Sequence, residues 1–149
     1  EGAFTQGMGW TTTEELMWGD SEHAWVRPAG RLFTSGPGTY KLPAFNDTPR
    51  EFNVRLMSGV DNKVAVHSSK AVGEPPFFLG GIVFFAIRDA VAAARAEHVG
   101  ASAASRHFTF YSPATTERIR MACADKIAVE AMDAAAPADG DALACRGSF

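Results

Sequence analysis

Gly73-Glu74-Pro75-Pro76-Phe77-Phe78-Leu79-Gly80-Gly81-Ile82-Val83-Phe84-Phe85-Ala86-Ile87-Arg88-Asp89 is the stretch on which the reading of this chain turns. Residues 77–95 contain no proline and end among alanines, so they read as a helix. Pro76 is tolerated at its start, because a first-turn N–H has no intrahelical partner to lose. Through Ile87 the residues are apolar on every side, the pattern of a helix buried inside a large protein. From Arg88 onward charge collects on one side, which should meet solvent. The apolar run 77–87 is shorter than the about 20 residues that a bilayer span requires.

Working outward, the residues ahead of this helix read as extended. In residues 51–57, Phe52, Val54 and Leu56 alternate with Asn53, Arg55 and Met57, the period of two of a half-buried strand. Residues 39–45 and 63–69 read as two further strands. Asn46-Asp47-Thr48-Pro49 and Gly59-Val60-Asp61-Asn62 provide turn chemistry between the three. The expected fold class is therefore α+β, a small, mainly antiparallel sheet with buried helices. Residues 1–18 read as a helix despite Gly7 and Gly9, each costing about 1 kcal/mol relative to alanine. Glycine there makes sense if something approaches the backbone closely. Residues 19–38 read as loop, with Trp18 and Trp25 anchoring it on neighbouring residues. Downstream, Ser112 is placed to cap a helix and Pro113 to open it, with an end near residue 131. Residues 134–149, rich in Ala, Gly, Asp and Pro, read as a loose tail.

Composition narrows the function classes. The 149 residues are 46% hydrophobic and 21% charged, and the formal net charge is −3. That balance gives no reason to expect nucleic acid or an anionic membrane as partner. Cys123 and Cys145 form no C-x-x-C pair and read as free thiols in a reducing compartment. The histidines are scattered, so no side chain is expected to ligate a metal. The opening, Glu1-Gly2-Ala3-Phe4, lacks both Met and a basic segment; it reads as part of a longer polypeptide rather than a signal peptide.

The chemistry concentrates in Lys70-Ala71-Val72-Gly73-Glu74-Pro75-Pro76. A strand ends, a glycine permits close approach, a carboxylate follows, and two prolines stiffen what comes next. Proline also biases the residue before it, Glu74, toward extended backbone. The helix terminus behind offers partial positive charge to an anionic ligand, and Lys70 could add a cation. A glutamate ahead of a helix is most often no more than a favourable charge for the dipole, worth about 0.3–1 kcal/mol. A lysine at such a position is most often solvated, so spacing alone leaves both readings open.

The same heptapeptide, followed by Phe77-Phe78-Leu79 and by Val83-Phe84-Phe85-Ala86-Ile87-Arg88-Asp89-Ala90, resembles the C-terminal molybdopterin-binding region of the xanthine dehydrogenase and aldehyde oxidase family. Three further blocks resemble it in the right order. They are Glu1-Gly2-Ala3-Phe4-Thr5-Gln6-Gly7-Met8-Gly9 with Glu14-Glu15-Leu16, then Gly36-Pro37-Gly38-Thr39-Tyr40-Lys41-Leu42-Pro43-Ala44-Phe45, then Ser112-Pro113-Ala114-Thr115 with Ile119-Arg120-Met121-Ala122-Cys123. The Ser-Pro-Ala-Thr form leans toward xanthine dehydrogenases.

The resemblance implies that residues 1–133 are the C-terminal portion of a larger molybdopterin-binding domain. It implies hydroxylation of hypoxanthine and xanthine to urate, with water as oxygen source and Glu74 as general base. Lys70, Ala71, Val72 and Gly73 match the backbone segment lying against the molybdenum centre, and Gln6 and Gly2 match positions that contact the pterin. Gln6 could equally bridge backbone, and Gly2 could serve helix packing. Implied cofactors are molybdenum-molybdopterin and, in the complete enzyme, 2Fe-2S clusters, FAD and NAD. Implied partners are the remainder of the molybdenum domain, the iron–sulfur and flavin domains, a purine or aldehyde substrate, and a second copy in a homodimer. The implied location is cytoplasm or peroxisome. Aldehyde oxidase is the competing activity, and an inactive structural or interaction domain is the competing class. Substrate choice, final electron acceptor and assembly lie beyond these residues.

Overall fold

The computed structural model describes residues 1–99 and 107–134. Its helices are α1 (Gly2–Thr12), α2 (Pro75–Leu79), α3 (Ile82–Val99), α4 (Thr116–Ala122) and α5 (Lys126–Ala134), with 3-10 turns at Phe45–Asp47 and Val66–Ser68. The expected tail lies outside the described residues, apart from Ala134, which ends α5.

The expected antiparallel sheet does not form: among the described residues there is no strand, and pairing is confined to an isolated antiparallel bridge between Trp18 and Leu32. Each expected strand fails for a local reason. Residues 51–57 do present one apolar group inward, Phe52, whose ring lies 5.2 Å from that of Phe4. Val54, Leu56 and Met57 are exposed instead, and no neighbouring backbone meets them to form a ladder. Residues 63–69 curl, because His67 and Ser68 take φ of 51° and 57°, left-handed values that no strand accommodates. Thr39 and Tyr40 donate their N–H groups to the carbonyl of Gly36, which makes a turn where a strand was expected.

The loop that follows α1 closes on itself. Gly19 N donates to Arg31 O at 2.8 Å and Phe33 N donates to Met17 O at 2.8 Å, while Met17 N donates to the Thr34 hydroxyl at 3.0 Å. Met17, Val26 and Thr34 are buried there, and Trp25 packs edge-on against Phe33 with ring centroids 4.9 Å apart.

Helices α1 and α2 cross at closest backbone approach. A Cβ on Gly7 would fall onto the Phe77 carbonyl, 2.7 Å from its carbon; one on Gly80 would lie 2.5 Å from Phe4 O and 2.6 Å from Gly7 C. On the flank of the crossing the Trp10 ring lies 5.5 Å from that of Phe77. The expected single helix over 77–95 is thus two helices, broken at Gly80–Gly81 where α1 presses in, and it extends to Val99. The helical run Pro75–His98 is long and apolar enough, by length and composition, to cross a membrane, which corrects the shorter span read from residues 77–87. A helix at the centre of a large protein meets the same description. In this chain the run is little covered: Phe78, Leu79, Ile82 and Phe85 are 75%, 63%, 62% and 59% exposed.

Helix α3 is fastened to α4 and to the segment before it by a cation and by rings. Arg95 Nη1 donates to the carbonyl of Ala122 at 2.8 Å, and its guanidinium sits 4.9 Å above the Phe108 ring. Phe84 and Phe110 stack with centroids 5.2 Å apart. The cap of α4 is Thr115, whose hydroxyl accepts from Arg118 N at 3.4 Å, not Ser112. Ser112 and Ala114 instead bond the carbonyl of Thr11, at 3.5 and 2.9 Å, which ties this turn to the end of α1. The expected long helix from residue 113 stops at Ala122. Ala124 takes φ of 50°, and Asp125 restarts the chain by accepting from Ala128 N at 2.8 Å. Arg120, 2.9 Å away, and that N–H hold the Asp125 carboxyl below its ordinary range.

Candidate functional site

Glu74 occupies the N-cap position of α2, followed by Pro75 and Pro76. Its backbone is helical, φ −89° and ψ −36°, where extended backbone was expected before proline. The reason is local: its carbonyl already accepts the Phe77 N–H at 2.9 Å, so the first turn closes around the prolines. Its side chain makes no capping bond and is exposed. With only five residues, α2 has little terminal dipole, so stiffness is what this helix contributes.

The segment before Glu74 is delivered by a fastened loop. Asn62 Nδ2 donates to Ser69 O at 2.7 Å, and the Lys70 ammonium donates to the carbonyl of Val60. Lys70 therefore folds back on its own loop rather than toward Glu74. Ala71 takes φ of 50°, a left-handed turn that redirects the chain, and Val72 and Gly73 follow, exposed. Gln6 and Gly2 are exposed on α1. Gln6 adjoins Gly7, which rests on Phe77, and Phe77 is hydrogen-bonded to Glu74; the crossing thus brings the turn bearing Gln6 to the helix that Glu74 begins.

Among the described residues no group of three or more His, Cys, Asp or Glu could hold a metal ion. The donors on offer are the Gln6 amide and the backbone of residues 70–73. A Cβ on Gly2 or Gly73 would meet nothing within 4 Å, so the backbone at both is open to approach. This donor set suits a metal carried by an organic cofactor that takes hydrogen bonds, and it does not suit a metal ligated by side chains.

Sequence reasoning missed a polar lock just beyond the end of α1. Tyr40 donates to Glu14 Oε2 at 2.5 Å, and Arg118 pairs with Glu15 while also donating to Pro113 O at 2.8 Å. Consecutive carboxylates after α1 thus hold two distant segments, joining residues 26 and 103 positions apart. No spacing rule could have paired them. A cleft of about 430 Å³ lies among Trp10, Glu14, Glu15, Tyr40 and Arg118, and a larger one of about 540 Å³ among Arg95, Phe108, Phe110 and Met121. Neither is lined by a candidate site residue, because Glu74 and Gln6 stand on an open face.

The bond to Glu14 is the main cause that holds the Tyr40 phenol above its ordinary value of 10.0, with burial and the carboxylate's charge adding to it. Folding therefore favours the protonated phenol. The stability this contributes is complete below the unfolded value, about 10, and is lost as pH rises through the raised folded value. Denaturant midpoints measured from neutral to alkaline pH should show an alkaline loss in the native chain that is smaller in Tyr40→Phe. Parallel losses in both would show that the pair contributes nothing.

A family model described as the molybdopterin cofactor-binding domain matches residues 1–49, the span that holds Gly2 and Gln6. The xanthine dehydrogenase of Oryza sativa subsp. japonica is 58% identical over 130 residues, covering 85% of this chain and 9% of the relative. The chain belongs to the xanthine dehydrogenase family. Xanthine dehydrogenase 1 of Arabidopsis thaliana is 58% identical over 126 residues, covering 85% of the chain and 9% of its own length. The xanthine dehydrogenase/oxidase of Mus musculus is 52% identical with the same two coverages, 85% and 9%. The chain thus spans 9% of the length of these xanthine dehydrogenases.

Proposed function

We propose that this chain forms one wall of the molybdenum-cofactor site of a xanthine dehydrogenase, and that Glu74 is the general base for hydroxylation of hypoxanthine and xanthine to urate. The observation that carries the reading is the α1–α2 crossing, which joins the open helix bearing Gln6 and Gly2 to the stiff post bearing Glu74.

With the 2Fe-2S clusters, FAD and NAD of the complete enzyme, the molybdenum cofactor supplies the acceptor for the two electrons that leave the substrate carbon. The residues of this chain manage position and protons. Glu74 removes a proton from the water-derived oxygen as that oxygen attacks an electron-poor carbon, which requires a carboxylate within about 2.6–3.2 Å of it. Pro75 and Pro76 restrict where the carboxylate can go. The Gln6 amide holds the pterin by hydrogen bonds, the backbone of Lys70, Ala71, Val72 and Gly73 lies against the cofactor, and Gly2 leaves room for it. The remainder of the molybdenum domain covers the exposed face of α2 and α3. The iron–sulfur and flavin domains, a second copy and a cytoplasmic or peroxisomal setting belong to the same proposal.

The test is turnover of the complete enzyme in oxygen-isotope-labelled water. Supplied with xanthine, it should yield urate carrying the label from water. Oxidation of aldehydes with xanthine left untouched would overturn the substrate, and unlabelled urate would overturn the chemistry.

A further inference from the structure

We infer that Gly7 is a positioning residue for Glu74, acting through the backbone of Phe77; this rests on the reading of Glu74 as general base. Gly7 is buried in the interior of α1, where glycine costs a helix about 1 kcal/mol relative to alanine. What occupies the missing Cβ position is backbone. A Cβ would overlap the Phe77 carbonyl oxygen and lie 2.7 Å from its carbon and 3.1 Å from its Cα. Backbone cannot rotate aside as a side chain can, so any added atom moves the Phe77 peptide itself. The N–H of Phe77, in the preceding peptide on the other side of its Cα, bonds the Glu74 carbonyl at 2.9 Å, and only Pro75 and Pro76 stand between the two residues. Prolines have fixed φ and absorb little displacement. A shift at Gly7 is thereby passed to the Glu74 carboxylate through a single stiff turn.

The other buried helical glycine on α1 behaves differently. A Cβ on Gly9 meets side chains, among them Glu14 Oε1 at 2.5 Å, and so touches nothing that leads to Glu74. Proton transfer is sensitive to position: a misplacement of about 1 Å costs on the order of 10²-fold in rate.

The test is a double-mutant cycle in the complete enzyme. Gly7→Ala should lower kcat by about 10-fold to 10²-fold with KM changed less than ~3-fold and molybdenum content retained. In the Glu74→Gln background the same substitution should lower the residual rate by less than ~2-fold, because the group it misplaces is already absent. Equal fold-losses in the two backgrounds would overturn the inference, as would an unchanged kcat or loss of molybdenum. Near-normal turnover of Glu74→Gln alone would instead sink the base assignment on which the inference rests. Should Gly7→Ala yield no folded enzyme, Trp10→Leu replaces it in the cycle, since that ring packs 5.5 Å from Phe77 on the same crossing. A smaller kcat loss that vanishes in the Glu74→Gln background supports the joint, and a loss that persists there overturns it.

Discussion

Replacing Glu74 with glutamine in the complete enzyme lowers turnover by at least ~10²-fold, as loss of a general base does, while molybdenum content stays at the native level. The two halves of that result have separate causes. Glutamine keeps the size and reach of the side chain and its backbone role at the start of α2, where the Glu74 carbonyl accepts from Phe77. It makes no capping bond through its side chain, so nothing in the fold of this chain is lost with the carboxylate. What disappears is the ability to take a proton. A variant with unaltered turnover would leave Glu74 as a charge at a short helix and no more.

Phe85→Ala destabilises the complete enzyme by about 3–5 kcal/mol, the cost of emptying a buried phenylalanine site. Within this chain the side chain is 59% exposed, and truncating an exposed residue ordinarily changes stability by less than about 0.5 kcal/mol. The large effect therefore depends on a surface that the chain does not itself contain. Phe78, Leu79 and Ile82 are open as well as Phe85, an apolar strip along the end of the helices nearest Glu74. The chain spans 9% of the length of its relatives, and the proposed cover of the strip is the remainder of the molybdenum domain. A lowered melting temperature of the complete enzyme is the expected reading. An unchanged melting temperature would show the strip to be open in the assembled protein.

How far these residues could be read in advance depended on whether the causes were local. A helix in residues 1–18 was legible, though it stops at Thr12 rather than residue 18, and the glycines at 7 and 9 were legible as sites of close approach. That Phe77 is what approaches Gly7 was not, because the contact joins residues far apart in sequence. The alternation in residues 51–57 states which side chains share a face, and Phe52 on Phe4 obeys it. Alternation cannot supply a neighbouring strand, and so the expected sheet was a pattern without a partner. The break at Gly80–Gly81 was signalled by its two glycines and passed over, whereas the left-handed backbone at His67, Ser68, Ala71 and Ala124 carries no strong signal, since only glycine advertises such conformations. At the site, Glu74, Gly73 and the prolines were legible as a stiff post, and Gln6 entered through resemblance. The bond from Lys70 to the Val60 carbonyl was not legible, because its acceptor is a backbone carbonyl, which every residue carries.

The most direct test of the account is an experimental structure of the assembled enzyme with its cofactor and a bound purine. The Glu74 carboxylate should lie within hydrogen-bond reach, about 2.6–3.2 Å, of the oxygen to be transferred, with the Gln6 amide on the pterin side of the same cavity. A Glu74 side chain directed into bulk solvent, away from the pterin, would contradict it.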